Sequence, residues 1–109
     1  MLEAVDEMLR RCLLVAGCFL LAQAPAFAAD AKQGKAIAER WCSGCHVVGH
    51  EQKSASNDQA PTFASLAARA DFNTDRLAFL LLKPHPNMPQ LSLGRSEIVD
   101  LAEYILTLK

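Results

Sequence analysis

Trp41-Cys42-Ser43-Gly44-Cys45-His46 is the stretch on which the reading of this chain turns. A Cys-x-x-Cys pair followed at once by histidine is the attachment signature of a c-type haem. The spacing has a physical reason. Two sulfurs must reach the two vinyl groups of one porphyrin while the next side chain reaches its iron, and His46, directly after Cys45, is anchored under the macrocycle by the same turn. Two other chemistries share the Cys-x-x-Cys part. A thioredoxin-like dithiol also has a tryptophan before its first cysteine, as Trp41 stands here, but it needs a βαβ framework around the motif. A structural zinc site wants four closed ligands, and the chain has no second Cys-x-x-Cys to complete one.

The N-terminal flank decides the compartment. Arg10 and Arg11 lead into an apolar run over residues 12–22, and Ala26-Phe27-Ala28 then offers small residues at -3 and -1 before Ala29. A basic start, a short apolar stretch and an A-x-A site describe a secretory signal peptide, residues 1–28, cleaved after Ala28. The run is too short for a membrane span, which takes about 20 residues. Glu3, Asp6 and Glu7 are out of place ahead of the arginines, which leaves Met8 beside Met1 as a candidate start. Val15-Ala16-Gly17-Cys18 is a rival lipidation box, although Phe19-Leu20-Leu21 after it are apolar where such a box turns polar. Cleavage removes Cys12 and Cys18 and sends the remaining pair, Cys42 and Cys45, to an oxidising compartment, the periplasm. In an exported chain the haem signature becomes a strong signal.

The C-terminal flank reads as helices without strands. Asp30 can cap a first helix, in which Gly34, Ile37, Ala38 and Trp41 recur at i, i+3, i+4 and i+7. Gly34 is either tolerated there or required by another backbone. Residues 47–60 are polar and aperiodic, a surface loop in which His50 is a solvated side chain. Pro61-Thr62 opens a short helix through Phe63, Leu66 and Ala67. Thr74 is expected to cap the next, with Leu77, Leu80 and Leu81 on one face, and Pro84 stops it. Residues 83–89 hold three prolines and are expected to run extended. The last helix starts near Gly94, with Glu97 reaching back to the cap, Leu93 and Ile98 as a hydrophobic staple, and Ile98, Leu101, Ala102, Ile105 and Leu108 as its buried stripe. Ile37, Val47, Val48, Ile98, Val99 and Ile105 are the only Val and Ile of residues 29–109, too few for a central sheet, which argues against the dithiol. The aromatics are also few: Trp41, Phe63, Phe72, Phe79 and Tyr104. A core this thin leaves room for a large apolar cofactor.

Haem iron also takes a ligand opposite the proximal histidine, Met or His in low-spin cases. Met88, 42 residues past His46, is the only methionine after the leader. His85, in the same proline segment, competes for the role; in isolation Met88 is better read as filling a gap in the core, and the haem motif reverses that preference.

Taken together, residues 29–109 resemble the class I cytochromes c, in particular the small monohaem cytochromes of proteobacteria. The resemblance rests on Cys42-Ser43-Gly44-Cys45-His46, Ala60-Pro61-Thr62-Phe63, Met88-Pro89 and Asp100-Leu101-Ala102-Glu103-Tyr104-Ile105, with Gly34 at the family's distance before the first cysteine. It implies an all-α cytochrome c fold, roughly four short helices wrapped around one covalently attached haem c, with the first and last helices of the domain crossing. It further implies thioethers from Cys42 and Cys45, axial ligands from His46 and Met88, a Pro61 carbonyl accepting from the other nitrogen of His46, and Phe63 packed on the haem. Gly34 would then meet Leu101 and Tyr104. The chain departs from the pattern at Ala38, where members often carry an aromatic, and Trp41 is the candidate to take over that packing.

Iron with both axial positions filled leaves no place for a substrate, so the resemblance implies an electron carrier, not an enzyme, working between redox partners. A five-coordinate, ligand-binding or peroxidase-like haem protein and an electron-transfer subunit of a dehydrogenase or oxidase complex are the alternatives. Residues 29–109 hold nine Lys and Arg against nine Asp and Glu, which gives no sign of a nucleic-acid partner or a membrane-surface patch. A monomer is expected. The processing reading has a direct check: the exported protein should have the intact mass of residues 29–109 plus one haem. A lipid on Cys18, or a retained leader, would overturn it.

Overall fold

The computed structural model describes residues 1–20, 27–57, 59–84 and 86–109. Residues 23–26 of the cleavage region, the side chain of Cys18, and His85 lie outside the described residues. Five helices follow one another: α1 Leu2–Leu20, α2 Ala31–Trp41, α3 Phe63–Ala67, α4 Thr74–Leu82 and α5 Arg95–Leu106. Among the described residues there is no strand, and the fold is all-α.

Local chemistry sets each start. Asp30 caps α2, its carboxylate accepting from the N–H groups of Lys32 and Gln33 at 2.9 and 3.2 Å. Thr62 caps α3 through its hydroxyl, which accepts from Ser65 N–H at 3.1 Å. The cap of α4 is Asn73, not Thr74: the Asn73 side-chain oxygen accepts from Arg76 N–H at 2.8 Å, and Thr74 becomes the first helical residue. Asparagine is the stronger cap of the two, so it takes the position when they are adjacent. At α5, Glu97 closes back onto the Gly94 N–H at 2.7 Å. Helix α1 is laced by exposed pairs, Arg10 with Asp6 at 3.2 Å and Arg11 with Glu7 at 2.7 Å. Among the described residues it packs against none of the other helices, and no described helix is long and apolar enough to cross a membrane.

Helix α5 is the hub. Its Leu101, Ala102, Tyr104 and Ile105 are buried, and α2, α3 and α4 all pack on it, α2 most extensively. The α2–α5 contact is made backbone to backbone. A β carbon on Gly34 would lie 1.9 Å from the Asp100 carbonyl oxygen and 2.8 Å from Tyr104 Cβ. Close approach is therefore the reason for Gly34, with Tyr104 as expected and the Asp100 main chain, in place of Leu101, as its nearest neighbour. Beside it, Asp30 N–H donates to the Asp100 carboxylate at 2.8 Å, seventy positions along the chain.

Three other expectations need correction. Residues 47–60 are not all surface: Val48 is buried, and its carbonyl accepts a 2.7 Å bond from the Tyr104 hydroxyl. Residues 83–89 are not extended throughout, because Pro86 and Asn87 form a turn with Asn87 at φ 74°. Proline presets the first turn position and asparagine tolerates the left-handed second one. Trp41 is half exposed, with the Arg40 guanidinium 5.0 Å from its ring centroid, so it does not take over the packing missing at Ala38, itself fully buried.

Gly34→Ala should cost about 3 kcal/mol, because overpacking against a main-chain carbonyl exceeds the ~1 kcal/mol gained in helix propensity. Denaturant unfolding of the haem-bearing protein measures this, and an unchanged midpoint would show that α2 and α5 can separate freely.

Candidate functional site

The attachment turn grows out of the end of α2. Cys42 N–H donates to the Ala38 carbonyl at 2.9 Å as the helix cap, and the Cys42 carbonyl then accepts from Cys45 N–H at 3.1 Å and His46 N–H at 2.8 Å. This fold-back buries Cys42 and His46 while Cys45 remains exposed. The two cysteines form no disulfide. Burial pushes the Cys42 thiol up to about 11, so it stays protonated through neutral pH.

His46 is aimed by one bond. Its Nδ1 lies 2.7 Å from the Pro61 carbonyl oxygen. A carbonyl can only accept, so Nδ1 carries a proton and donates it to Pro61. The Phe63 N–H donates to the Val47 carbonyl at 2.9 Å, which holds the start of α3 against the residue after His46. The Phe63 and His46 rings sit 5.7 Å apart, tilted by 48°.

These groups open on one cavity of about 240 Å³ that is partly open to solvent. Cys42, His46, Pro61, Phe63 and Met88 all line it, and most of the remaining wall is apolar, with Phe72, Leu77, Leu81, Leu101 and Ile105 among its residues. Leu80 lines it too, while remaining more than one-third exposed. An adjoining smaller cavity is lined by Trp41, Cys42, Gly44, Cys45, His46, Asn57, Met88, Pro89 and Leu91. Met88 and His46 therefore face both cavities, whereas Cys45 faces only the second. His85 lies outside the described residues, and His50 is exposed.

The exposed Arg69, Arg76 and Lys83 line the large cavity, and among the described residues no carboxylate does. Asp71 bridges the two arginines, at 3.0 and 3.3 Å from the Arg69 guanidinium and 3.9 Å from Arg76 Nε. The Arg69 hydrogen bond holds the Asp71 carboxyl below the ordinary carboxylate range, and the same pairing raises Arg69. Both are exposed, so solvent screens the effect.

Reasoning from sequence missed Gln52. Its side-chain oxygen accepts from Val48 N–H at 3.0 Å, and its nitrogen lies 3.0 Å from the carbonyls of Ser43, His46 and Ser54. Nothing distinguishes a glutamine with this duty from its polar neighbours in a loop with no periodicity. The donor set suits a haem: a largely apolar cavity with a histidine nitrogen, a thioether sulfur and the Cys42 thiol on its lining, the Cys45 thiol on the adjoining cavity, and exposed cations that could pair with carboxylates.

Residues 29–105 match the protein family described as cytochrome c oxidase, cbb3-type, subunit III. The chain is also 50% identical over 96 residues to cytochrome c-552 of Bradyrhizobium diazoefficiens, covering 84% of this chain and 91% of that protein. No solved structure matches it.

The turn also contains a tolerant position. A β carbon on Gly44 would meet nothing within 4 Å, and no described glycine has a positive φ. Gly44→Ala should therefore take up covalent haem at the wild-type yield and shift stability by less than about 0.5 kcal/mol. A marked fall in haem per chain in a pyridine haemochrome assay would show that the turn needs glycine for another reason.

Proposed function

The chain belongs to the c-type cytochromes, in the family described as cytochrome c oxidase, cbb3-type, subunit III, and works as an electron carrier with covalently attached haem c; we propose that Cys42 and Cys45 form the thioethers and that His46 and Met88 are the axial ligands. The haem supplies a one-electron change at iron when it is bound. The residues supply the rest. The Pro61 carbonyl, 2.7 Å from His46 Nδ1, keeps the proton on that nitrogen, orients the ring and raises its basicity toward the metal. A neutral Met88 sulfur on the other side favours a higher potential than a second histidine would. Phe63, with the leucines of α4 and α5 on the cavity wall, would exclude water and pack against the porphyrin, and Arg69, Arg76 and Lys83 would be available to pair with its carboxylates.

One observation carries this reading: His46, with its Nδ1 bonded to Pro61, and Met88 line the same largely apolar cavity as Cys42. Partners reach the site at the smaller cavity, beside exposed Trp41 and Cys45. Transient electron-transfer encounters need only a small interface, below about 1,200 Å². Export to the periplasm, with loss of residues 1–28, completes the proposal. A second reading, a subunit within an oxidase, is favoured by the family description, and co-purification with membrane partners separates it from a free carrier.

The test lies in the distal ligand. The oxidised protein should show the weak far-red sulfur-to-iron band. Met88→Ala should erase that band, lower the potential and let carbon monoxide bind the reduced haem, while His85→Ala should leave all three nearly unchanged. The reverse pattern would make the protein bis-histidine ligated, with a lower potential. Carbon monoxide binding by the unaltered protein would make it five-coordinate.

A further inference from the structure

The carbonyls of the attachment turn lie beyond the end of α2 and need partners that the helix does not supply. The Cys42 carbonyl is satisfied within the turn. That of Gly44 accepts from Ser56 N–H at 3.1 Å and from the Ser56 hydroxyl. Those of Ser43 and His46 both face a single side-chain nitrogen, Gln52 Nε2, at 3.0 Å each. The other end of the same carboxamide accepts from Val48 N–H, two residues past His46. Gln52 thus grips the main chain on both sides of the imidazole-bearing residue. A carboxamide suits this place because it offers an acceptor and a two-hydrogen donor on one planar group; lysine lacks the acceptor and an ionised glutamate lacks the donor. His46 is then held twice, by its ring nitrogen at Pro61 and by its main chain at Gln52.

We propose that Gln52 is a positioning residue for the proximal imidazole, fixing the His46 main chain against the attachment turn and so setting the distance and angle at which Nε2 meets the iron. The proposal rests on the ligation reading for His46. A merely structural loop glutamine would alter stability and leave the iron's surroundings unchanged.

The discriminating variant is Gln52→Glu in the haem-bearing protein, because it keeps shape and makes the grip titratable. When protonated, the introduced carboxyl can still donate one bond. When ionised, it turns two acceptor oxygens toward the carbonyls of Ser43, His46 and Ser54, which repel it. Lys35, Glu39, His50, Glu51 and Tyr104 share the groove with this position. They are common to both proteins, so the readout is the difference between variant and wild type. The haem-methyl and His46 ring resonances of the oxidised protein, together with the midpoint potential, are followed between about pH 3 and 8, which brackets ordinary carboxyl titration. The difference should follow a one-proton curve and shrink toward zero at the acid end. A difference that stays flat, with only the melting temperature moved, would overturn the proposal. Should Gln52→Glu fail to accumulate with haem, Gln52→Met keeps the length and drops every bond; it must displace the same resonances at all pH values, and unchanged resonances would overturn the proposal equally. A wild-type spectrum without histidine ligation would remove the ligation reading and this proposal together, whereas a normal wild-type spectrum with a flat difference removes the proposal alone.

Discussion

At Gly34 the main chain of α5 comes so near that no β carbon fits between the two helices, and the placing of the site follows from that contact. The attachment turn is the continuation of α2, so wherever α2 is seated, Cys42 and His46 are seated with it. Helix α5 supplies Leu101 and Ile105 to the cavity wall, and its Tyr104 ties down Val48, two residues beyond His46. A side chain at Gly34 would push these two contributions apart together. The contact therefore acts as a datum from which both the thiols and the apolar slot are measured.

What the sequence disclosed and what it concealed divide along physical lines. Periodicity revealed α2 and α5, since a buried stripe repeats whatever it packs against. The caps at Asp30, Thr62 and Glu97 were legible for a similar reason: their chemistry is local, completed within three or four residues. The Cys-x-x-Cys-His motif stands out in the sequence because the covalent chemistry proposed for it demands a fixed spacing. Choosing between Asn73 and Thr74 was not, because two good caps stood side by side. The Asn87 turn was hidden because the prolines around it exclude helix without saying which non-helical path is taken. Trp41 has the right spacing for the buried face but lies in the last turn of α2, beyond the reach of α5's cover. The role of Gln52 depends on four main-chain groups that an irregular loop brings together, and no local rule anticipates that.

The polar loop of residues 47–60 is better understood as a lining for main-chain groups than as a connector. Buried backbone polar groups are almost always paired, and a turn that must hold two thiols and an imidazole cannot spend its own amides on regular structure. Side chains from the loop and from α5 take up the remainder. Among the described residues no buried side-chain nitrogen or oxygen is left without a partner. An iron held at this site, as proposed, would have little freedom to rearrange when its charge changes, which suits a carrier that must give back the electron it accepts.

The bond from Asp30 to Asp100 closes the domain into a ring of seventy positions. Closing so long a ring is slow to achieve but insensitive to its exact size, since each doubling of length costs only about 0.6 kcal/mol. Segments such as the stretch between α3 and α4 can therefore gain or lose residues at little thermodynamic expense, provided the seam and the groups gripping the motif are kept. The architecture confines strict length requirements to the few residues around the iron and leaves the rest of the circuit free to drift.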